Sequence, residues 1–326
     1  MNRLIYCLAV LLALGTHGVF GQKSTGAALF PDVMPDVRGV GMGNTGVAST
    51  PNAFSLYRNV AKSVFSGMRS EVGYSFTPWM RKLVSGNNLH GFAGYYNLDE
   101  KQGVVAGFRW FSQAEVDLWS DTGEAAGSFT PKNWSVDVGY ARKLTDDLSV
   151  GATVRFVRSD MSGLDKDAVA NAVAFDLGVY YRRATTDDRL NWAVGLQASN
   201  FGTHINYGHG KYDQQGKVSV GGMVDYVFSD KHRLEGTLDI GYRVLPETNL
   251  EGAVGVEYTA LNLVSLRGGY HWGEENNRMQ RYGTLGCGVN LRYVRADFAY
   301  LMPEPDSFLK NTWQVALSVD LGMIFK

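Results

Sequence analysis

The 326-residue chain has only two cysteines, and one of them, Cys7, lies in the apolar N-terminal stretch. That leaves Cys287, and a lone cysteine in an exported chain excludes an internal disulfide. Also missing is any later run of about eighteen apolar residues, which excludes a transmembrane helix. A strong charge of either sign is absent too. The 31 basic and 32 acidic residues give −1, and loss of Arg3 with the leader leaves 30 against 32, or −2. That balance argues against a nucleic-acid partner. No cofactor motif stands in a fitting context, and no cofactor is expected.

The leader itself is plain. Arg3 precedes the apolar stretch Leu4 to Leu14, and Val19-Phe20-Gly21 has small residues at its first and third places. This is a secretory signal over 1–21, cut after Gly21. Eleven apolar residues are too few to anchor the chain across a bilayer. Cys7 sits inside the run rather than at a cut site, so a lipoprotein is not indicated.

From Glu71 onward the chain reads as fourteen strands joined alternately by long and short connections. The long ones are 79–88, 113–132, 159–171, 201–216, 244–249, 273–280 and 303–310. The short ones are 98–102, 143–147, 184–189, 229–232, 259–262 and 290–292. An even strand number with loops sorted by length is the construction of an outer-membrane β-barrel, with short periplasmic turns and long outer loops. A soluble sandwich has many strands too, but nothing sorts its loops by end. The expected fold is therefore all-β, a fourteen-stranded antiparallel transmembrane barrel over 71–326 in the cell outer membrane of a Gram-negative bacterium. Abundant glycine (39), with 16 phenylalanines and 17 tyrosines, suits curved, girdled sheets. A mean hydropathy of −0.15 is compatible with strands that have one apolar and one polar face.

That alternation is explicit. Trp134, Val136, Val138 and Tyr140 share one parity, opposite Ser135, Asp137, Gly139 and Ala141. Val173, Phe175, Leu177, Val179 and Tyr181 stand opposite Asp176 and Gly178. Successive strand side chains point to opposite faces. Arg or Lys on the lipid face costs about 2–4 kcal/mol at the midplane, which confines charge to one parity. The expected lumen charges are Asp137, Arg155, Asp239, Glu251, Glu257, Arg267, Arg295 and Asp297, mixed in sign and suited to ion pairs rather than a selectivity ring. Trp79, Trp110, Trp134, Trp272 and Trp313 fall at outer strand ends, where an aromatic belt is expected, and Trp192 at an inner end. Cys287 reads as a small wall residue.

Residues 22–70 are rich in Gly, Ser, Thr, Asn and Pro and lack a core of their own. The expectation is a plug segment in the lumen or at its periplasmic mouth. Its Gly41-Met-Gly43-Asn44-Thr-Gly46 matches a dinucleotide-loop pattern, but no βαβ unit surrounds it. A tight loop using positive φ is the simpler reading. Other constellations are equally sparse. His204 and His209 with Asp213, and Asp160, Asp165 and Asp167, lack the number or spacing of metal ligands. His271 beside Glu274 and Glu275 has no serine partner or nucleophile elbow, so no enzyme activity is expected.

Several segments resemble a known group. They are Asp36-Val-Arg-Gly-Val-Gly-Met-Gly-Asn-Thr-Gly-Val-Ala, Ala53-Phe-Ser-Leu-Tyr-Arg-Asn, Tyr74-Ser-Phe-Thr-Pro-Trp-Met-Arg-Lys-Leu-Val, Arg109-Trp-Phe-Ser, Val138-Gly-Tyr-Ala-Arg-Lys-Leu and Val154-Arg-Phe-Val-Arg-Ser-Asp. Together they look like the PorV/PorQ group of FadL-like outer-membrane barrels. The resemblance implies a fourteen-stranded barrel with an N-terminal plug, and a role in type IX secretion. Its implied partners are outer-membrane lipid, secreted cargo proteins recognised by their C-terminal signal domains, the translocon, and a surface sortase complex that attaches the cargo. One departure is Tyr57-Arg58-Asn59-Val60-Ala61, where the group usually has Tyr-Trp-Asn-Pro-Ala; it allows a paralogue with a changed partner.

Two functions compete. A cargo carrier needs apolar residues exposed on outer loops. A FadL-like channel for hydrophobic small molecules needs an apolar pocket leading into the lumen. The outer loop after the first strand carries Trp79, Met80, Leu83 and Val84, with Arg81 and Lys82 to steer an acidic partner. This favours the carrier. The plainer alternative is that Trp79 belongs to the belt and the others pack on adjacent loops.

Overall fold

The computed structural model describes residues 30, 33–81, 86–120, 122–163, 168–185, 189–207, 210–246, 248–273, 281–305 and 307–324. The leader with its cut site, and residues Lys82, Leu83, Val84, Asp165, Asp167, His209, Glu274 and Glu275, lie outside them. Fourteen antiparallel strands close into one barrel. They are β1 (Ser70–Pro78), β2 (Asn88–Asn97), β3 (Gln102–Ser112), β4 (Lys132–Lys143), β5 (Leu148–Asp160), β6 (Val169–Ala184) and β7 (Leu190–Gly202). They continue with β8 (Lys217–Ser229), β9 (His232–Arg243), β10 (Asn249–Ala260), β11 (Val264–Gly273), β12 (Tyr282–Leu291), β13 (Val294–Pro303) and β14 (Trp313–Asp320). β1 pairs with β14, from Glu71 opposite Asp320 to Phe76 opposite Val315, so no edge is left open.

The two parities separate as the alternation requires. Leu177, Leu238, Leu266 and Val138 stand exposed on the outer wall, and Ser135, Asp137, Asp176 and Arg267 are buried inside. Cys287 is exposed on the outer wall. At the loop end, outward rings form a girdle. Trp313 and Phe76 lie 5.8 Å apart, Phe76 and His90 5.2 Å, His90 and Trp110 5.5 Å, and Trp134 and Phe156 5.6 Å. Trp272 covers Gly252 on the same wall. Trp192 lies tilted against Tyr181 at the turn end, with ring centres 5.4 Å apart.

Trp79 is a correction to the belt. It is half-buried and packs inward against the clusters containing Val37, Tyr95, Leu89 and Phe111. The connections also hold more structure than expected. Loop 113–131 contains a hairpin, Val116–Trp119 paired with Ala125–Phe129, and loop 203–216 a smaller one, Ile205–Asn206 with Lys211–Tyr212. A bulge interrupts the wall between β6 and β7, where Asn200 takes φ 61° and its amide donates to the Asp176 Oδ1 at 2.7 Å, and the register also shifts between Val227 and Ser229 of β8.

Fourteen strands enclose more space than inward side chains alone fill, since about eight already suffice for a filled interior. Here residues 33–66 occupy the lumen. Phe30 and Val33 lie near the loop end with Leu89, Phe111, Val157 and Ile205. A short helix, α1 (Val37–Gly41), packs on β12 and β13. Two 3-10 turns, Ser55–Tyr57 and Val60–Phe65, then cross toward β3–β6. Ser66 reaches Tyr95 near the turn end, where β1 begins. The segment thus threads the barrel from one end to the other, because the chain must arrive at the turn end by Ser70. The hydrophobic core lies between this segment and the inner wall, joining Val37, Phe54, Leu56 and Tyr57 to Val105, Tyr282 and Leu301.

Candidate functional site

The luminal segment is held by polar contacts as much as by apolar ones. Arg38 projects from α1 and is 4% exposed. Its Nη2 donates to Glu257 Oε1 at 2.7 Å and Glu235 Oε2 at 2.9 Å, its Nε to Glu257 Oε2 at 3.0 Å, and its Nη1 to the Thr50 carbonyl at 3.1 Å. Glu235 and Glu257 sit opposite each other on β9 and β10, so one guanidinium bridges two facing carboxylates. Arg267 donates to Glu257 as well, and its Nη1 lies 2.7 Å from Asp297. Thr50 adds its amide and hydroxyl to Glu235.

The glycine loop at 41–46 is where backbone meets backbone. Gly43 takes φ 71° and Asn44 φ 72°. The Gly43 amide donates to Thr284 Oγ1 at 2.8 Å, and that hydroxyl donates to the Gly41 carbonyl at 3.0 Å. The Gly46 and Val47 amides donate to Asp239 Oδ2 at 2.7 and 3.0 Å. Arg58, standing where the resemblance calls for tryptophan, fixes the loop from within. It donates to the Asn44 carbonyl at 2.9 Å, to Asn44 Oδ1 at 2.7 Å and to Asp36 Oδ2 at 3.3 Å. Burial alone would raise the Asp36 carboxyl, but Arg58, Lys62 and the Asn52 hydrogen bond together hold it below its usual value. Lys62, fully buried, donates to the Gly46 carbonyl and Ser49, and burial pulls it down to about 8 against the opposing pull of Asp36.

A second set of pairs lines the wall under Tyr57. Arg109 lies 4.7 Å over the Tyr57 ring and 3.5 Å from Asp137. Asp137 also pairs with Arg155, whose Nη2 reaches Asp176 at 2.8 Å. All eight lumen charges expected from parity face inward, and the pairing partner that parity could not supply was Arg38. A signal for the path of the luminal segment was present in the inward glycines. A Cβ at Gly107 would fall 2.4 Å from the Tyr57 hydroxyl, at Gly178 2.2 Å from Asn59 Oδ1, at Gly195 2.5 Å from the Val47 carbonyl and at Gly255 2.2 Å from the Met42 carbonyl.

The largest space, about 1090 Å³ along β1–β4, is apolar and is bordered in large part by the outward residues Val72, Phe92, Val104, Phe108 and Val138, whereas two smaller spaces border charged side chains. A cavity of about 30 Å³ lies among Arg58, Lys217, Asp239, Glu251 and His271. A larger one of about 290 Å³ is bordered by Arg38, Arg182, Arg233, Glu257, Arg267 and Arg295. His271, at the smaller cavity, is buried and stacked on Tyr282 at 4.9 Å. Among the described residues no three His, Cys, Asp or Glu side chains converge as a metal site. His204 pairs with Asp213 at 2.6 Å, and Asp160 closes its own loop by accepting from the Ser162 amide at 3.1 Å. At the outer loops, Trp79 faces inward and Met80 is half-buried at φ 51°. Among the described outer-loop residues, Trp119 on the hairpin of loop 113–131 is the most exposed large apolar side chain, at 67%, ahead of Phe308 and Val116.

Comparison with known proteins adds the family. Residues 21–250 match the family described as type IX secretion system protein PorV. No curated protein matches the chain. Among solved structures, the Ralstonia pickettii toluene transporter TbuX is 13% identical at a TM-score of 0.55, covering 92% of this chain and 97% of that one. The P. putida toluene transporter TodX is 12% identical at 0.56, covering 91% and 98%. A Pseudomonas aeruginosa FadL homologue is 11% identical at 0.50, covering 87% and 98%. At such identities the likeness is one of fold, a FadL-like barrel.

Proposed function

This chain belongs to the PorV family of type IX secretion system proteins, and from that premise we propose that it receives exported cargo at the outer membrane of a Gram-negative bacterium. It binds the cargo by its C-terminal signal domain and delivers it to the surface attachment complex. The family match over 21–250 carries this reading. The family is one of secretion rather than catalysis. The outer loops are the contact surface, with Met80, Leu83 and Val84 on loop 79–87 as contributors. Residues 22–70 act as the plug, with Gly41, Gly43, Asn44 and Gly46 forming the loop that seats it.

The alternative is a channel for hydrophobic small molecules, as the titles of TbuX and TodX describe those proteins. A channel of that kind uses an apolar passage. Two cavities beside the luminal segment are bordered by charged side chains, and the apolar space of about 1090 Å³ is bordered in large part by the lipid-facing residues Val72, Phe92, Val104, Phe108 and Val138, which supports the carrier. The deciding experiment is purification of the barrel from native membranes after mild cross-linking. Recovery of secreted proteins sharing a C-terminal domain, lost when that domain is deleted, is expected. A barrel recovered without such proteins would remove the carrier reading. Deleting residues 22–70 is separately expected to raise conductance in planar bilayers, because the segment fills the lumen. Unchanged conductance would count against the plug.

A further inference from the structure

We propose that the hairpin Val116–Trp119/Ala125–Phe129 is the cargo-docking element, and that it recognises a basic surface carrying an apolar pocket for the Trp119 indole. This rests on the carrier reading and names the surface and the chemistry of its partner. The two strands pair only with each other, so the hairpin is a sheet separate from that of the barrel. Val116 and Trp119 are exposed, the latter 67%. An indole left in water on a built element is the pattern of an interface anchor, since Trp dominates binding hot spots.

The hairpin is held in shape before any partner arrives. At its tip the Ser120 amide donates to the Glu124 carbonyl at 2.8 Å, and the Gly123 and Glu124 amides return to Ser120 at 2.9 and 3.1 Å. At its base the Phe129 ring lies so close over Gly163 that a Cβ there would overlap it. The Ala114 amide donates to Asn87 Oδ1 at 3.2 Å. A fixed tip lowers the ordering cost of docking.

Charge selects the occupant. Residues 113–131 contain Glu115, Asp117, Asp121 and Glu124 and no lysine or arginine. The adjoining loop adds Asp160, which lies 3.7 Å from Arg158, and in sequence Asp165 and Asp167 against Lys166. Four carboxylates in the same short stretch of sequence as the exposed Trp119 disfavour insertion into an anionic lipid surface and favour a Lys/Arg-rich protein face. That sign is opposite to the acidic partner expected from Arg81 and Lys82.

The test uses the full-length barrel in nanodiscs and, as probe, the purified C-terminal domain of a secreted protein recovered by cross-linking. Wild-type binding is expected to weaken as salt rises. Trp119→Ala is expected to weaken it by about 30-fold or more, with Trp119→Phe intermediate. Asp117→Lys with Glu124→Lys is expected to slow association by about tenfold while heat-modifiability of the barrel on gels stays normal. If wild-type barrel binds the domain and all three variants bind equally well, the hairpin proposal is overturned and the carrier reading stands. If wild-type barrel binds no cargo domain, the carrier reading fails and the docking assignment with it. Variants that keep cargo but lose the translocon overturn the assignment of the hairpin to cargo.

Discussion

Arg38→Ala is expected to unseat the luminal segment while leaving the barrel wall closed. The side chain is almost fully buried and bridges Glu235 and Glu257, which face each other across β9 and β10. Removing one member of a buried charged set leaves the others uncompensated, at about 3–5 kcal/mol. Arg233 and Arg267 remain beside these carboxylates and keep the wall itself paired. The loss therefore falls on the contact between segment and wall. Protease clipping within residues 33–66 should appear, and single-channel conductance in planar bilayers should rise. Arg38→Lys keeps the charge but lacks the fork that reaches both carboxylates and the Thr50 carbonyl, so it should lie between wild type and alanine. Wild-type conductance and protection in Arg38→Ala would mean that this cluster does not seat the segment.

The barrel was legible in the sequence because lipid imposes a rule on every strand. One charged residue on the outer parity is costly, so Leu177, Leu238 and Val315 alternate with Asp176, Asp239 and Gln314 without exception at those positions. Loop lengths then supplied the strand number. Trp79 shows what was read too coarsely. Its position at a strand end suggested the belt, but its parity is that of Glu71, Ser75 and Thr77, all buried inside. Parity decides direction, and position along the strand decides only depth.

Residues 33–66 resisted for a different reason. They have no period, because their backbone bends at each contact with the wall. Their partners are nevertheless written on the strands, in inward glycines such as Gly107, Gly178 and Gly255, where another backbone or side chain approaches too closely for a Cβ. The hairpin in loop 113–131 was hidden by brevity. Its first strand is four residues long and shifts register between Leu118 and Trp119, so no alternation develops. The bulge at Asn200 is likewise set by a tertiary contact, the amide donated to Asp176, rather than by any local pattern.

Gly43→Ala is expected to have an effect out of proportion to one methyl group. Gly43 takes φ 71°, a conformation that costs an L-residue about 1–2 kcal/mol. The backbone term is the smaller part. A Cβ at Gly43 would lie 2.5 Å from the Val254 carbonyl, 2.6 Å from the Tyr270 amide nitrogen and 2.8 Å from the Tyr270 carbonyl. These atoms belong to β10 and β11, which pair with each other through Val254 and Tyr270. Neither strand can yield without breaking the ladder that closes the barrel, so the loop must lift instead. Lifting it strips the Gly43 amide from Thr284 and pulls on the Gly46 and Val47 amides at Asp239. Gly41→Ala is the matched comparison, because its Cβ would meet Gly286 Cα at 3.3 Å and Arg267 Cδ at 3.5 Å, contacts that small shifts relieve. Its φ is not in the positive region either. Gly43→Ala should therefore open the luminal segment to protease and raise conductance, while Gly41→Ala stays near wild type and both barrels keep normal heat-modifiability. Equal behaviour of the two variants would show that the loop does not seat against the backbone of β10 and β11.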